Sequence, residues 1–330
     1  MAFPRKALVT GGAGFIGSHV VDHLLAGGAE VVVYDNLTTG SRSNLAHQDA
    51  RPNLHLVHAD VLDLPRLSSA MEGVDTVFHF QANADVRGGP EHTRVDLEQN
   101  IVATWNVIEA MHRTEARTIV FASSATVYGE PNVFPTPESI ELVQTSLYGA
   151  SKAAGEAMIQ AYSEYFGIRS LAFRFVSWIG PRYSHGVVFD FMRKLRENPR
   201  ELEVLGDGTQ RKSYLDVRDG VSGVFLALER AHAPKNTFNL GHDDFLNVLD
   251  VARIITDELG LGDVRLRTTG GVRGWLGDSP LVHLDTTRIK ALGWRPTIPI
   301  PDSIRATVRY LAEHPEIFEA RAAAAARSAG

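Results

Sequence analysis

Apolar residues in this chain fall in short runs that alternate with stretches of helical spacing. Ala7 to Thr10 is a brief apolar run, and a glycine-rich turn follows it. From Ile16 to Ala26 apolar positions recur at helical intervals until Gly27 and Gly28 stop them. Glu30 to Tyr34 is then almost wholly apolar, the pattern of a strand covered on both faces. Further strands are predicted at Leu54 to His58, Thr76 to Phe80, Thr118 to Ala122 and Ser170 to Phe175, with helical stretches between them. Such alternation predicts an α/β fold built on an open, doubly wound parallel sheet. Two helices are expected to be long, roughly Thr93 to His112 and Tyr148 to Phe166. Each offers a second apolar face suited to a homodimer contact, the alternative being a monomer that buries both. Beyond Arg174 the pattern loosens into Gly, Pro, Arg and aromatic residues, which predicts a smaller, mixed α/β lobe. The Ala-rich end from about Ala320 reads as a fraying helix or tail.

Composition narrows the function. With 330 residues, 44% hydrophobic, the chain can bury a large core as one domain or two closely joined ones. A net charge of −6 provides no basic field for a nucleic acid backbone, so no nucleic acid partner is expected. The absence of cysteine removes disulfides, thiolate metal sites and thiol catalysis, and no metal site is expected. The amino terminus has neither the apolar core nor the cleavage site of a signal peptide, and no apolar run approaches the ~20 residues of a membrane span. A cytoplasmic protein without a membrane partner is the expectation.

The first chemistry lies in the glycine turn. Gly11, Gly14 and Gly17 sit between a strand and a helix, where they permit a tight turn, approach of a pyrophosphate to the backbone, and close packing of helix on strand. Asp35 ends the second strand, near the ~20-residue offset at which a carboxylate grips the adenosine ribose and repels a 2′-phosphate. This predicts a Rossmann-like unit that binds NAD rather than NADP. Asp60 and Val61, at the end of the third strand, are placed to meet the adenine. The second chemistry is Tyr148 with Lys152, one turn apart on one helical face. A phenol with a reference pKa of ~10 needs a nearby positive charge to act as a base at neutral pH. Ser124 ends the preceding strand in a hydroxyl able to share the reacting proton.

With these pieces in view, the chain resembles the extended short-chain dehydrogenase/reductase family, in its nucleotide-sugar epimerase branch, from about Lys6 to Leu311. The matching segments are GGAGFIG from Gly11, YDNLTTG from Tyr34, HADV from His58, VFHFQANADVR from Val77 and NIVATWNVIEA from Asn100. They continue with SSATVYG from Ser123, YGASK from Tyr148, RFVSWIGPR from Arg174, GDGTQRKSYLDVRD from Gly206 and RGWLGD from Arg273. The resemblance implies that Tyr148 is the base, that Lys152 holds the nicotinamide ribose, and that Ser124, with Thr126, binds the sugar hydroxyl. It assigns NAD contacts to Phe15, Ile16, Asn36, Thr39, Gly40, Phe80, Gln81, Ala82 and Phe175. Asn100 falls where the family places a helix-distorting Asn. It further implies an NAD-binding domain of residues 1–175 plus about 213–248, a nucleotide-sugar lobe of about 176–212 plus 249–315, and a tail of about 316–330.

The reaction follows from what flanks the sugar. Relatives that dehydrate or decarboxylate a nucleotide sugar place acids where Ala125 and Thr126 stand here, and the 3,5-epimerases of the branch use a Cys that this chain lacks. What the resemblance leaves is a 4-epimerase: Tyr148 takes the 4-hydroxyl proton, hydride passes from C4 to NAD, the 4-keto sugar turns over, and hydride returns. A UDP-sugar partner is implied, held by Arg87, Val187, Val188, Glu203, Leu205, Arg211 and Lys212, with Arg273 and Asp278 as a phosphate and ribose pair. Lys212 stands where an Arg is usual, and acts as a point charge rather than a bidentate fork. Ser177 replaces the Asn usual in galactose epimerases, while glucuronate epimerases carry a small hydroxyl there. With Arg182 nearby to add charge, this favours UDP-glucuronate/UDP-galacturonate, with UDP-glucose/UDP-galactose as the alternative. A dehydratase or a non-catalytic NAD-binding sensor are the further alternatives.

Overall fold

A computed structural model describes residues 3–328, with side chains described as far as residue 322. Met1 and Ala2 of the expected leaderless start, and residues 329–330 of the expected tail, lie outside the described residues. Strands β1 (Lys6–Thr10), β2 (Glu30–Asp35), β3 (Leu54–His58), β4 (Thr76–His79), β5 (Thr118–Ser124) and β6 (Arg169–Phe175) form the first half of the chain. Helices α1 (Phe15–Ala26), α2 (Leu64–Ala70), α3 (Thr93–Asp96), α4 (Ala103–Arg113) and α5 (Leu147–Phe166) connect them. The second half holds β7 (Ser177–Ile179), α6 (Val187–Glu197), β8 (Glu201–Val204), β9 (Arg211–Lys212), β10 (Tyr214–Asp216), α7 (Val217–Arg230) and β11 (Lys235–Leu240). It ends with β12 (Leu246–Asn247), α8 (Val248–Glu258), β13 (Arg265–Thr268), β14 (Leu281–Val282), α9 (Thr287–Ala291), α10 (Ile300–Glu313) and α11 (Glu316–Ser328).

Seven parallel strands make one sheet in the order β11-β6-β5-β4-β1-β2-β3. The strand order reverses between β1 and β4, and in open parallel sheets that crevice at the carboxyl ends is where ligands bind. One face is covered by α2, α4 and α5, whose buried side chains Leu67, Val107, Ile108, Met111 and Ile159 pack on Leu8, Val77 and Ile119. The other face is covered by α1 and α7, and its core runs without interruption into the second lobe through Phe175, Trp178, Phe189 and Trp294. The sheet and the second half of the chain therefore share one hydrophobic core.

The expected strands match within a residue or two. β11 is an additional edge strand, with Phe238 and Leu240 buried and Lys235 to Thr237 more open. The helix expected from Thr93 to His112 contains a π-helical segment, Leu97–Val102, between α3 and α4. α5 starts where Ser146 accepts from the Gly149 N–H at 3.0 Å and stops at Gly167 in the left-handed region (φ 67°). The stretch expected to be a tail opens as α11, which buries Phe318 against Phe189 at 4.6 Å between ring centres. Among the described residues no helix is long and apolar enough to cross a membrane.

Candidate active site

The glycine turn joins β1 to α1 beside the strand-order reversal. Gly11 adopts φ 68° and packs so closely on Gln81 that a Cβ would lie 2.8 Å from its backbone nitrogen. At Gly17 a Cβ would lie 2.1 Å from the Gly11 carbonyl oxygen, so any side chain would push α1 away from the turn. Gly14, the N-cap of α1, offers no side-chain acceptor, leaving the first amides of the helix without a side-chain cap. A cradle that excludes side chains at the positive end of a helix suits a dinucleotide pyrophosphate.

Asp35 accepts from the Ala13 N–H at 2.9 Å and the Leu37 N–H at 2.8 Å, one on each oxygen. Burial pushes its carboxyl up while those amides oppose the shift. The carboxylate still has lone pairs for ribose hydroxyls. Next to it Gly40 packs on Ala13, Thr39 is exposed, and Asn36 donates to Asp60 at 2.9 Å, with Val61 buried alongside. Phe15 is buried and Ile16 half-buried at the start of α1. Phe80 stacks on Phe175 at 6.3 Å, and Gln81 donates to the Gln99 carbonyl at 3.1 Å, leading into Ala82.

At the carboxyl end of β5, Ser124 caps the short turn Ala125–Tyr128, accepting from the Thr126 N–H at 3.2 Å and the Thr126 hydroxyl at 2.9 Å. With both of those bonds accepted, the Ser124 proton is left to donate outward. Burial pushes the Tyr148 phenol up to about 12; the Ser124 hydroxyl pulls against that shift, and Asp96 adds to it. Lys152, one turn on, is buried and donates to the Ala122 carbonyl at 2.8 Å, its ammonium 5.8 Å from the Tyr148 ring centre. Burial brings this lysine down to about 8, with Asp96 and Glu156 opposing. Asn100 lies in the π segment and donates to Asp96 and to Ser151, both at 2.9 Å, while its oxygen accepts from the Asn83 N–H at 2.8 Å. Tyr148, Lys152, Ser124, Thr126 and Asn100 thus form one cluster at the carboxyl end of β5 and the start of α5.

The expected sugar-nucleotide residues divide. Arg87 reaches over from the first lobe to Asp190 at 2.6 Å and lies 4.7 Å above the Trp275 ring. Lys212 lies 4.7 Å from the same ring and pairs with buried Asp278 at 2.5 Å. Ser177 is exposed at the start of β7, Val187 and Val188 open α6, and Leu205 follows β8. Arg211 is exposed over Phe245 at 5.5 Å, and the Glu203 side chain is taken by Lys194 and Arg267.

Asp278, expected at the ribose, pairs with Lys212, and Arg273, expected at the phosphate, joins Glu130 at 2.6 Å. One expectation is corrected. Arg182, expected to add charge for the sugar, is already paired: it sits in the left-handed region (φ 67°) and turns onto α1, bonding Asp22 at 2.7 Å and Ser18 at 3.1 Å. The opposite charge of Asp22, far away in sequence, decides that placement. Trp275, Asp96 and the buried Glu156–Arg174 pair escaped the sequence reading, although Asp96 stands four residues before Asn100 and Trp275 lies inside RGWLGD. Among the described residues no cluster suits a metal ion.

Residues 7–241 match the model of the NAD dependent epimerase/dehydratase family. The chain belongs to that family. It is 32% identical over 310 residues to a putative UDP-glucose 4-epimerase of Methanocaldococcus jannaschii, covering 92% of this chain and 97% of that protein. A crystal structure of a UDP-galactose 4-epimerase shares 42% identity at TM-score 0.85, covering 94% of this chain and 99% of the other. The dTDP-glucose 4,6-dehydratase DesIV of Streptomyces venezuelae, solved with NAD and TYD bound, shares 31% identity at TM-score 0.88 over 94% of this chain and 98% of the other. The family's cofactor is NAD, and the cradle in which Gly11 and Gly17 leave no room for a side chain fits it.

Proposed function

We propose that this member of the family interconverts the C4 epimers of a UDP-hexose, with UDP-glucose/UDP-galactose as the first pair. The observation that carries the reading is the rim of the site. Ser124, Thr126 and Tyr148 furnish hydroxyls, and Ala125 and Thr126 stand where elimination or decarboxylation would need acids. NAD supplies the reversible hydride acceptor for C4. The chain's own residues move the proton: Ser124 donates to the Tyr148 phenolate and the Lys152 ammonium stabilises its charge, and that phenolate takes the 4-hydroxyl proton to become the phenol, which returns the proton when hydride returns to C4.

The substrate order differs from the one that Ser177 and Arg182 suggested together. With Arg182 neutralised by Asp22, the cation assigned to a C5 carboxylate is spent, and hydroxyls suited to a neutral C6 group remain. UDP-glucuronate is the second reading, supported by the exposed small hydroxyl of Ser177. A homodimer belongs to the same proposal, supported by Leu97, Val102, Trp105, Tyr165 and Phe166, which are exposed along the π segment, α4 and α5. Purified protein incubated with UDP-glucose or UDP-glucuronate, without added cofactor, should give the C4 epimer by proton NMR, faster from UDP-glucose. No epimer from either sugar overturns the reading, and a product lighter by one water assigns a dehydratase instead.

A further inference from the structure

A carboxylate without a role in that reaction lies against the catalytic helix. Asp96 is 3% exposed, at the end of α3 where the π segment begins. Its Oδ1 accepts from Asn83 at 3.0 Å and from Asn100 at 2.9 Å. Asn100 also donates to the Ser151 hydroxyl, which donates in turn to the Tyr148 carbonyl at 2.7 Å. Asp96 is therefore a node joining the segment after β4 to the first turn of α5. We propose that Asp96 is a positioning residue for the Tyr148/Lys152 pair, holding the start of α5 through Asn100 and Ser151 and supplying a buried negative charge to that pair.

This inference rests on the epimerase reading for its kinetic consequence and on geometry for its place. The charged and titratable groups around it are Tyr148, Lys152 and Glu156 on α5, Asp85 after β4, and His79 at the end of β4, which sits close enough to Lys152 to feel its charge. Burial pushes the Asp96 carboxyl up; the Asn83 amide opposes that shift, and Asp85 adds to it. As an anion, Asp96 favours the Lys152 ammonium and disfavours the Tyr148 phenolate, so it raises both. Removing the charge without the shape must lower both together. Asp96→Asn does this, because its amide oxygen can keep both asparagine bonds at Oδ1.

The test compares wild type, Asp96→Asn and Asp96→Ala, each with NAD bound and its fold checked by circular dichroism. Asp96→Asn is expected to move both limbs of the pH profile of kcat to lower pH by about one unit, on the scale of a nearby charge pair. Asp96→Ala, which also releases Asn100, is expected to lower kcat about 10-fold or more below Asp96→Asn, with KM nearly unchanged. A second readout needs no substrate. The near-ultraviolet phenolate absorbance of each protein, less that of its Tyr148→Phe counterpart, should titrate at lower pH in Asp96→Asn. If wild type turns over neither sugar but this titration shifts, the epimerase reading fails and the role of Asp96 stands. An unmoved titration, or activity reduced equally at every pH, overturns the proposal.

Discussion

Glu156 and Arg174 make the ion pair whose loss should cost the fold most. Arg174 donates from Nε and Nη2 to the two Glu156 oxygens at 3.0 and 2.7 Å, with side chains 6% and 3% exposed. Burial lowers the guanidinium's affinity for its proton, but the carboxylate outweighs this and holds it above its ordinary range. The same carboxylate accepts from Ser123, and Arg174 Nη1 donates to the Tyr128 hydroxyl and the Glu138 carbonyl, both at 3.0 Å. Glu156→Gln removes the negative charge and leaves a desolvated guanidinium facing an amide. At an effective dielectric of about 20 the lost attraction is ~4 kcal/mol, and measured losses on breaking buried pairs run ~3–5 kcal/mol. Because Gln can still accept one bond, we expect about 3 kcal/mol, or, for a 330-residue chain, a fall in Tm of roughly 4–5 °C. Thermal and urea unfolding followed by circular dichroism measure both. Replacing both partners by Met should recover at least half of the loss, since a buried pair is offset by its own desolvation. A loss below about 1 kcal/mol for Glu156→Gln, or a double variant as unstable as the two singles added, refutes the reasoning.

The other predictions concern the site. Gly17→Ala places a methyl 2.1 Å from the Gly11 oxygen; the purified protein should lose its bound NAD, with affinity down about 100-fold by fluorescence titration, and retained NAD counts against the cradle. Tyr148→Phe should keep NAD and lose epimerisation by about 1000-fold or more, whereas retained turnover removes Tyr148 as the base. Arg182→Ala should leave KM for either sugar within about 2-fold and lower stability by about 1 kcal/mol through the lost Asp22 pair; a large rise in KM for UDP-glucuronate alone would restore Arg182 to the sugar. Lys152→Met should abolish turnover yet stabilise the ligand-free protein at pH 7 by about 1–2 kcal/mol, because the wild type holds a buried ammonium. The folded-state lysine titrates near 8 and the unfolded one near 10.5, so this gain should fade as pH rises through that window.

Much of this arrangement is legible in the sequence, and the division follows from how far each interaction reaches. The central strands read clearly because a parallel sheet covered on both faces makes them nearly continuous apolar runs, as in Val31 to Tyr34. β11 does not, because an edge strand pairs on one side only and carries Lys235, Asn236 and Thr237 among its six residues. Tyr148 and Lys152 are readable because their contact is local to one helix, and Gly11 to Gly17 because one turn holds them all. The π segment shows only as Asn100, since helical periodicity averages over the altered turn. Arg182 is where such reading stops. Its nearness in sequence to Ser177 suggests a charge for the sugar, but the partner that claims it, Asp22, lies on α1, and the left-handed backbone at Arg182 accompanies that choice. The placement of Arg182 is thus set by a long-range carboxylate rather than by its neighbours in sequence. A residue list for the pocket settles nothing about C6 until every cation on it has been matched to its partner.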